Sequence, residues 1–385
     1  MDFALTQEQQ MMRDAARAMV ATEINPVLDA HDPNTPLPKA AMLKIYAALA
    51  KLGVTAPRIP EKDGGGGLRM LDYGLVFEQL PPMVAISLLA HECTIARIWA
   101  ETSAENRERF LPDLIAGRKI CCTGTTEPDV GSDPRSVKTR VVKDGGELAI
   151  TGRKMWITNV TICDVMNVSC AEGTDARGLS KLRRVVVERD KTPFETREIP
   201  TLGLRQGHLG EATLDGARVP ADNALGNLGD AARMLTLTWN GNRPLVGLAA
   251  TNLAQRALDK AREYAGIRTQ FGKPIGGHQL IQKNLADIET AVMTSRLICY
   301  HALDGMDRGE RANGPSAMAK RYATTACEQA VSMAMHIHGA MGISTELGLE
   351  QIYRDVRMLP IPDATNEILA LIQGREITGQ EAFRA

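Results

Sequence analysis

The sequence lacks any marked excess of charge of one sign. Its 45 Lys and Arg residues against 46 Asp and Glu residues leave a formal net charge of −1 at pH 7. A chain with this balance has no electrostatic attraction for nucleic acid or for an anionic membrane surface. With 385 residues, it is long enough for two or three packed domains around a large core. We therefore expect a globular protein without a nucleic-acid or membrane partner.

Patterns typical of disulfides, metal sites and targeting segments are also missing. The seven cysteines are an odd count without a CxxC pair, and the seven histidines are scattered. We predict buried thiols and no metal ion. The start, MDFALTQEQQ, lacks the basic and apolar regions of a signal peptide, and no apolar run approaches the length of a membrane span. A soluble, cytoplasmic protein is expected.

The first part of the chain has the apolar periodicity of helices. Thr6 and Gln9 form a capping-box pattern that opens an amphipathic run, and Pro26 is expected to close it. Residues 38–52 and 70–80 repeat the helical period. The sequence therefore predicts an N-terminal helical domain over residues 1–118.

Short segments rich in Thr, Val and Ile follow from residue 119. They are separated by turns rich in Gly, Asp and Pro, which is typical of antiparallel strands. The pattern predicts a middle antiparallel, barrel-like β domain over residues 119–228. The strand-like runs are 137–142, 148–150, 184–188 and 212–219.

Helical periodicity returns after Gly229 in longer form. No Gly or Pro interrupts residues 278–303, and a second long helix is expected over 315–335. We predict a four-helix bundle within residues 240–373, inside a C-terminal domain over 229–385. The apolar seam of the first of these helices consists of Ile281, Leu285, Ile288, Val292, Ser295 and Cys299.

Asp363 stands in an irregular segment, Pro362-Asp363-Ala364-Thr365, ahead of an apolar run. Thr365 is placed to cap the helix that follows, so Asp363 belongs to a turn at a helix entrance. A side chain there can project into a cleft. On these residues alone, a simple part in the helix cap is the preferred interpretation of Asp363.

Six motifs occur in order along the chain: TEPDVGSD at 126–133, KMWITN at 154–159, RVPADNALG at 218–226, RTQFGKPI at 268–275, HGAMG at 338–342 and YRD at 353–355. In their order and spacing they resemble the acyl-CoA dehydrogenase family of FAD flavoproteins over essentially the whole chain. The resemblance implies the three-part fold described above, FAD as the cofactor and an acyl-CoA thioester as the substrate.

The resemblance assigns flavin contacts to two of these motifs. Thr126 would donate its hydroxyl to a flavin carbonyl, and Ser132 would lie beside the bound acyl-CoA and the cofactor. Trp156 and Thr158 would line the flavin, with Trp156 against the face of its ring. Without the neighbouring motifs, Trp156 would be interpreted as a core aromatic on a strand.

Contacts with the FAD of a neighbouring subunit are implied for Arg268, Phe271 and Gln279. An Arg suits a pyrophosphate because its guanidinium makes paired, charge-assisted hydrogen bonds. Such contacts imply a homotetramer, a dimer of dimers, or at least a dimer. Without the motif, Arg268 would simply be a solvated side chain on a loop.

The segment His336 to Gly342 departs from the family pattern QxxGGxG. His336 replaces the Gln, Gly339 retains the first Gly of the pair, and Ala340 replaces the second. These changes remove a side-chain amide and add a methyl group where backbone approaches the cofactor. We expect FAD binding to survive, with altered affinity.

The reaction of the family requires a base for the α-proton of the thioester, and Asp363 matches its position. The family usually has Glu there, and one branch has Glu in place of Asn242. Arg243 would border the active-site cleft, and Pro362 and Ala364 would contact the substrate. Pro362 stands where an aromatic residue usually closes the acyl pocket.

Other polar residues near this site have different interpretations. Thr365 and Glu367 are assigned to cofactor contacts. Glu367 would lie one helical turn beyond Asp363 and is therefore not expected to act as a second base. Glu92, with His91, falls where helices of the family line the far end of the acyl pocket, although the sequence does not fix the register there.

The substitution of Asp for Glu points to an unusual substrate. The shorter side chain withdraws the carboxylate by roughly 1 Å, a displacement that can cost on the order of 100-fold in rate. Together with the lost aromatic, this shortening favours a bulky, cyclic or branched acyl group as the substrate. The resemblance separately implies an electron-transferring flavoprotein as the electron acceptor. Two alternatives stay open: a nitroalkane-oxidising flavin oxidase, and a non-catalytic subunit that binds FAD or acyl-CoA within a hetero-oligomer.

Overall fold

Three structural regions follow one another along the chain, which confirms the predicted fold class. The computed structural model describes residues 4–176, 178, 180–229 and 231–382, with backbone alone over 231–237. Helices come first, a β-sheet follows, and a second set of helices completes the fold.

The N-terminal region is helical, as predicted. Thr6 caps the first helix through the expected capping box with Gln9. The prediction that Pro26 closes this run is wrong: a π-helical turn, Val20–Ile24, leads directly into a further helix. Pro26 lies in the first turn of that helix, where its missing N–H costs nothing. The helices are α1 (Gln7–Met19), α2 (Asn25–Asp29), α3 (Lys39–Lys51), α4 (Met70–Phe77), α5 (Pro82–Glu101) and α6 (Ala104–Ile115).

The expectation that no apolar segment is long enough to span a membrane is wrong for helix α5. Its 20 residues satisfy the requirements of length and composition. The structure accounts for this composition, since 72% of its most apolar window is buried inside the fold. Leu88, Leu89, Ile95 and Ile98 are core residues. The helix is the central core helix of the N-terminal region.

The middle region is an eight-stranded sheet with the order β6-β7-β3-β2-β4-β5-β8, and β1 pairs with β4. Pairing is mainly antiparallel, as predicted. In addition, β1 and β4 run parallel from Cys121 opposite Val165 to Gly124 opposite Val168. The strands are β1 (Cys121–Gly124), β2 (Arg140–Asp144), β3 (Glu147–Thr158), β4 (Val165–Thr174), β5 (Ser180–Glu188), β6 (Glu195–Glu198), β7 (Leu209–Pro220) and β8 (Ala224–Leu225).

Three long helices form the frame of the C-terminal region and pack against one another. They are α7 (Ala231–Ile267), α8 (Gln279–Asp307) and α9 (Asn313–His338), with the short hairpin β9 (Thr269–Gln270) and β10 (Lys273–Pro274) between the first two. Helix α7 continues through Pro244, which has no N–H for the carbonyl of Asn240. The Ser316 hydroxyl of α9 donates to that carbonyl at 2.8 Å instead.

The fourth position of the predicted bundle contains two short helices rather than one long helix. They are α10 (Leu349–Met358) and α11 (Asn366–Thr378), and both pack on α9. The intervening segment holds Pro360 and Pro362, which cannot continue a helix. The interruption exposes a loop in the middle of the helical layer, and Asp363 lies on it.

Candidate active site

The loop between α10 and α11 gives Asp363 an unusual backbone conformation. Asp363 has φ 54° and Ala364 has φ 83°, both in the left-handed region that favours glycine. Thr365 then caps α11, as predicted, and its side chain accepts a hydrogen bond from the N–H of Ile368. Two consecutive strained residues require restraint from their surroundings.

Two buried cations provide that restraint by binding carbonyl groups of the loop. Lys320 of α9 donates from Nζ to the carbonyl oxygens of Pro360 at 3.0 Å and Ala364 at 2.6 Å. Arg243 of α7 donates from Nε to the carbonyl oxygen of Asp363 at 3.3 Å. Both cationic side chains are buried. The three bonds connect the strained loop to two long helices.

The Asp363 carboxyl group lies in a desolvated, cationic environment. Burial raises its pKa above the ordinary value, and the charges of Lys320, Arg243 and Arg97 oppose this rise. The Asn242 side chain also contacts the carboxyl group and lowers its pKa. Burial is the dominant effect, so the carboxylate is a stronger proton acceptor than a solvated Asp. The positive surroundings keep its ionised form accessible.

A fully buried carboxylate, Glu92 of α5, lies within electrostatic range of Asp363, which is half-buried. Its Oε1 accepts from Nη2 of Arg58 at 2.7 Å, and the same Nη2 donates to Oδ1 of Asn242 at 2.9 Å. Burial raises the pKa of Glu92 to about 7, against the attraction of Arg58 and Arg97. Glu92, Arg58, Asn242 and Asp363 thus form a continuous polar chain across four segments of the fold. We call these four residues the buried polar chain.

Trp156 emerges from the sheet at an irregularity of β3. Its φ is 61°, and the pairing of β3 with β7 shifts register between Lys154 and Ile157. A bulge of this kind redirects a side chain, and 51% of Trp156 is exposed. This exposure excludes the interpretation as a core aromatic. Thr158 follows on the same strand and is half-buried.

The end of this strand is attached to the N-terminal helices by Asn159. The Asn159 side chain is fully buried and donates to the hydroxyl of Tyr46 at 3.2 Å and to the carbonyl of Ser87 at 2.9 Å. Its Oδ1 accepts from the Ser87 hydroxyl at 2.7 Å. These bonds fix the strand that presents Trp156 and Thr158 against α3 and α5.

The loop from Thr126 to Ser132 lies beside this strand. The N–H of Met155 donates to the Thr126 carbonyl at 3.0 Å, which places Thr126 next to Trp156. Glu127 supports the loop from beneath, because its carboxylate accepts from Nζ of Lys154 at 2.8 Å and from the N–H groups of Lys138 and Thr139. Ser132 is exposed further along the same loop.

The residues predicted to contact FAD from a neighbouring subunit (Arg268, Phe271 and Gln279) and those of the 336–342 segment predicted to bind FAD are exposed at a distance from Asp363. Phe271 occupies the tip of the β9–β10 hairpin with φ 51° and is 94% exposed. Arg268, Gln279, His336, Gly339 and Ala340 are also exposed. At a rise of about 1.5 Å per residue, about 36 Å of α7 separates Arg243 from the end of the helix at Ile267. One chain therefore does not bring Arg268 and Phe271 to Asp363.

Comparison with known proteins identifies the family. Models of the acyl-CoA dehydrogenase N-terminal, middle and C-terminal domains match residues 6–118, 122–217 and 231–378. The chain belongs to the acyl-CoA dehydrogenase family. Members of this family are FAD-dependent oxidoreductases that act on the CH–CH group of acyl-CoA thioesters.

Relatives in the acyl-CoA dehydrogenase family cover the full chain. A probable acyl-CoA dehydrogenase of Bacillus subtilis strain 168 is 30% identical over 383 residues, covering 98% of this chain and 100% of the relative. A cyclohex-1-ene-1-carbonyl-CoA dehydrogenase of Geobacter metallireducens is 32% identical over 381 residues, covering 97% and 98%. The structure of butyryl-CoA dehydrogenase from Megasphaera elsdenii superposes with a TM-score of 0.91 at 29% identity, covering 98% and 100%.

The exposed edge formed by Thr126, Trp156 and Thr158 fits the flavin of an acyl-CoA dehydrogenase. An indole with half of its surface accessible, fixed on a bulged strand, offers a face on which a flat ring can stack. Two threonine hydroxyls beside it offer donors to the ring carbonyls. The same edge adjoins α5 through Asn159, and Glu92 of the buried polar chain lies on that helix.

Sequence reasoning missed three cations of this site, Lys320, Arg58 and Arg97. Lys320 lies on the buried face of α9 with Ser316, Ala323 and Cys327. A Lys at this spacing among small and apolar residues is a signal that could have found it. Arg58 lies in an irregular loop, and no sequence pattern there indicates that it reaches Glu92.

Proposed function

We propose that this chain catalyses the α,β-dehydrogenation of an acyl-CoA thioester with Asp363 as the base. The observation that supports the proposal is a desolvated carboxylate, with a raised pKa, restrained on a loop that Lys320 and Arg243 hold in place. Among the described residues of this segment, Asp363 stands at the position where the family pattern has its base. Asn242, at the position of the alternative base, carries no charge.

Each group in the proposed reaction has a defined part. The Asp363 carboxylate removes the α-proton, and the electron pair of that C–H bond forms the new double bond. Bound FAD would supply the acceptor for the hydride that leaves the β-carbon. The N–H of Asp363 is the donor that this chain offers to the developing enolate oxygen. Arg243 and Lys320 stabilise the negative charge through their proximity.

FAD would be held by residues from two copies of the chain. We propose that Thr126, Ser132, Trp156, Thr158, Thr365 and Glu367 contact the cofactor within one subunit. Arg268, Phe271, Gln279, His336, Gly339 and Ala340 would contact it from another. A Phe that is 94% exposed in a left-handed conformation is costly unless a partner covers it. We therefore propose a homotetramer.

The substrate is proposed to be a cyclic, branched or otherwise bulky acyl-CoA. Pro362 takes the place of a larger aromatic side chain, and Asp363 reaches less far than Glu, so a broader acyl group fits while approaching the base closely. Ser132, Arg243 and Ala364 would complete the contacts. The relative that acts on cyclohex-1-ene-1-carbonyl-CoA is consistent with this class.

We propose an electron-transferring flavoprotein as the electron acceptor and a cytoplasmic location. We also propose three domains, over residues 1–118, 119–228 and 229–385.

Anaerobic reduction of the flavin tests this proposal. The purified protein should be yellow, and bulky acyl-CoAs should bleach it faster than linear ones. Asp363→Asn should abolish bleaching while retaining acyl-CoA binding, measured as a perturbation of the flavin spectrum. Activity near wild type in this variant would contradict the assignment of the base. Bleaching by nitroalkanes with peroxide formation would instead identify an oxidase, and bound FAD that no substrate reduces would identify a non-catalytic subunit.

A further inference from the structure

Three buried polar atoms around Glu92 have no hydrogen-bond partner among the described residues. They are Nε of Arg58, Oε2 of Glu92 and the hydroxyl oxygen of Tyr73. Tyr73 and Glu92 are fully buried. Unpaired groups of this kind are costly in a folded protein, so their presence together calls for an explanation.

The three atoms belong to one small cluster. Arg58 and Glu92 are joined by their 2.7 Å ion pair. Burial raises the pKa of the Tyr73 hydroxyl of α4, the Glu92 charge raises it further and the Arg58 charge lowers it, so Tyr73 lies within electrostatic range of both. The ion pair uses only Nη2 of the guanidinium and Oε1 of the carboxylate. The remaining donor and acceptor are therefore available to a third group.

The backbone is shaped to admit the Arg58 guanidinium. Gly241 of α7 lies against it, and a Cβ at this position would stand 2.8 Å from Nη1 and 3.1 Å from Cζ of Arg58. Any other residue at this position would require the end of the Arg58 side chain to shift. Glycine at 241 thus leaves the space that the guanidinium occupies beside Glu92 and Asn242.

The cluster is one side chain away from the proposed base. Asn242 accepts from Arg58 at 2.9 Å through Oδ1 and contacts the Asp363 carboxyl group from its other side. The proposal takes the more distant carbons of an acyl group whose α-carbon lies at Asp363 to extend past Asn242 toward Arg58, Glu92 and Tyr73. This placement rests on the proposed function.

We propose that these three residues form a subsite for a hydroxyl group on the acyl chain, beyond the β-carbon. A hydroxyl oxygen accepts two hydrogen bonds and donates one. Nε of Arg58 and the Tyr73 hydroxyl supply the two donors, and Oε2 of Glu92 supplies the acceptor. A carboxylate matches less well, because it has no proton for Glu92 and adds a second negative charge beside it. The substrate is thus a hydroxylated acyl-CoA.

Matched pairs of acyl-CoAs that differ by a single hydroxyl group test the subsite. For each pair we would measure kcat/KM from anaerobic flavin bleaching, and Kd from the perturbation of the flavin spectrum. The hydroxylated member should be preferred at least about tenfold, because the deoxy member leaves buried groups unpaired. A ratio near one for all pairs, or a preference for a carboxylated analogue, would overturn the proposal.

Two variants assign the preference to the cluster. Tyr73→Phe removes one donor and should reduce the hydroxyl-to-deoxy ratio about tenfold, and Glu92→Gln should reduce it as well. Tyr46→Phe is the matched control: Tyr46 is equally buried, but its hydroxyl already bonds to Ser87. Its ratio should equal that of the wild type. An unchanged hydroxyl-to-deoxy ratio in Tyr73→Phe would show that Tyr73 does not bind the hydroxyl group of the substrate.

The outcomes also separate this inference from the proposed function. Bleaching by acyl-CoAs with no discrimination within the pairs would refute the hydroxyl subsite alone. If no acyl-CoA bleaches the flavin, the proposed function fails, and the Kd ratios still decide whether the subsite recognises a hydroxyl. If a variant does not fold, the ratio measured with the wild-type protein decides.

Discussion

Replacing Lys320 by Met should release the loop that holds Asp363. The left-handed conformations of Asp363 and Ala364 cost about 1–2 kcal/mol each, or about 2–4 kcal/mol together. A hydrogen bond from a charged donor contributes about 1.5–3 kcal/mol, and Lys320, whose pKa burial lowers to about 7, makes two of the three bonds to the loop. Without them only the Arg243 bond is left; at 3.3 Å it is long, so its contribution of about 1.5 kcal/mol falls below the strain. The loop should then relax away from its native geometry.

The consequence for catalysis follows from the position of the base. A displacement of about 1 Å is expected to lower kcat about 100-fold, while FAD binding persists. Ala364→Gly in the Lys320→Met background should recover part of this loss, because glycine adopts a φ of 83° without strain. Lys283→Met, which removes an exposed ion pair with Asp287 on α8, is the control.

Steady-state kinetics and amide hydrogen exchange at residues 361–365 would test this reasoning. Lys320→Met should show faster exchange in the loop and reduced kcat, and Lys283→Met should show neither. If Lys320→Met kept kcat within twofold of the wild type with unchanged exchange, the restraint of the loop would have another origin, and the comparison of strain with hydrogen bonding would be wrong.

Three further predictions concern the base and the cofactor. Asp363→Glu extends the carboxylate by about 1 Å and should raise kcat/KM for linear acyl-CoAs relative to bulky ones; an unchanged ratio would contradict the proposed link between reach and substrate size. The base must be ionised to act, so kcat/KM should fall as the pH decreases through the raised pKa of Asp363, and an acid limb at or below the ordinary value of 3.8 would contradict the effect of burial. Arg268→Ala should lose FAD on dilution, measured by flavin absorbance, and full retention of FAD would argue against the intersubunit contact.

Local patterns predicted the regular parts of the fold. The long helix expected over 278–303 is α8 at Gln279–Asp307, because an uninterrupted apolar period determines a helix without reference to its neighbours. Whether Pro26 ends a helix depends on the backbone conformation of the turn before it, which the sequence does not show. A proline ends a helix or opens the next one according to the turn that precedes it, and here a π-helical turn allows the chain to continue.

The residues of the candidate site likewise fall into two groups: those that local patterns indicate, and those that only the tertiary fold brings together. Asp363 could be singled out because a motif surrounds it, and Thr365 because helix caps follow a local rule. The residues that give Asp363 its properties come from distant segments: Arg97 from α5, Arg243 from α7 and Lys320 from α9. Electrostatic effects at a buried carboxylate depend on which charges the tertiary fold brings together, and a single sequence contains no record of those distances.

The contact between Gly241 and Arg58 bears on how the proposed preference for a hydroxylated acyl group could have evolved. Because a Cβ at position 241 would meet the guanidinium, replacing Gly241 would shift the end of the Arg58 side chain, whereas replacing Arg58 would leave Gly241 undisturbed. A chain that has Arg at the first position and Gly at the second, 183 residues later (241 − 58), retains the geometry; a chain with only one of them does not. This pair would serve as a two-letter signature for finding other members with the same preference in genomes.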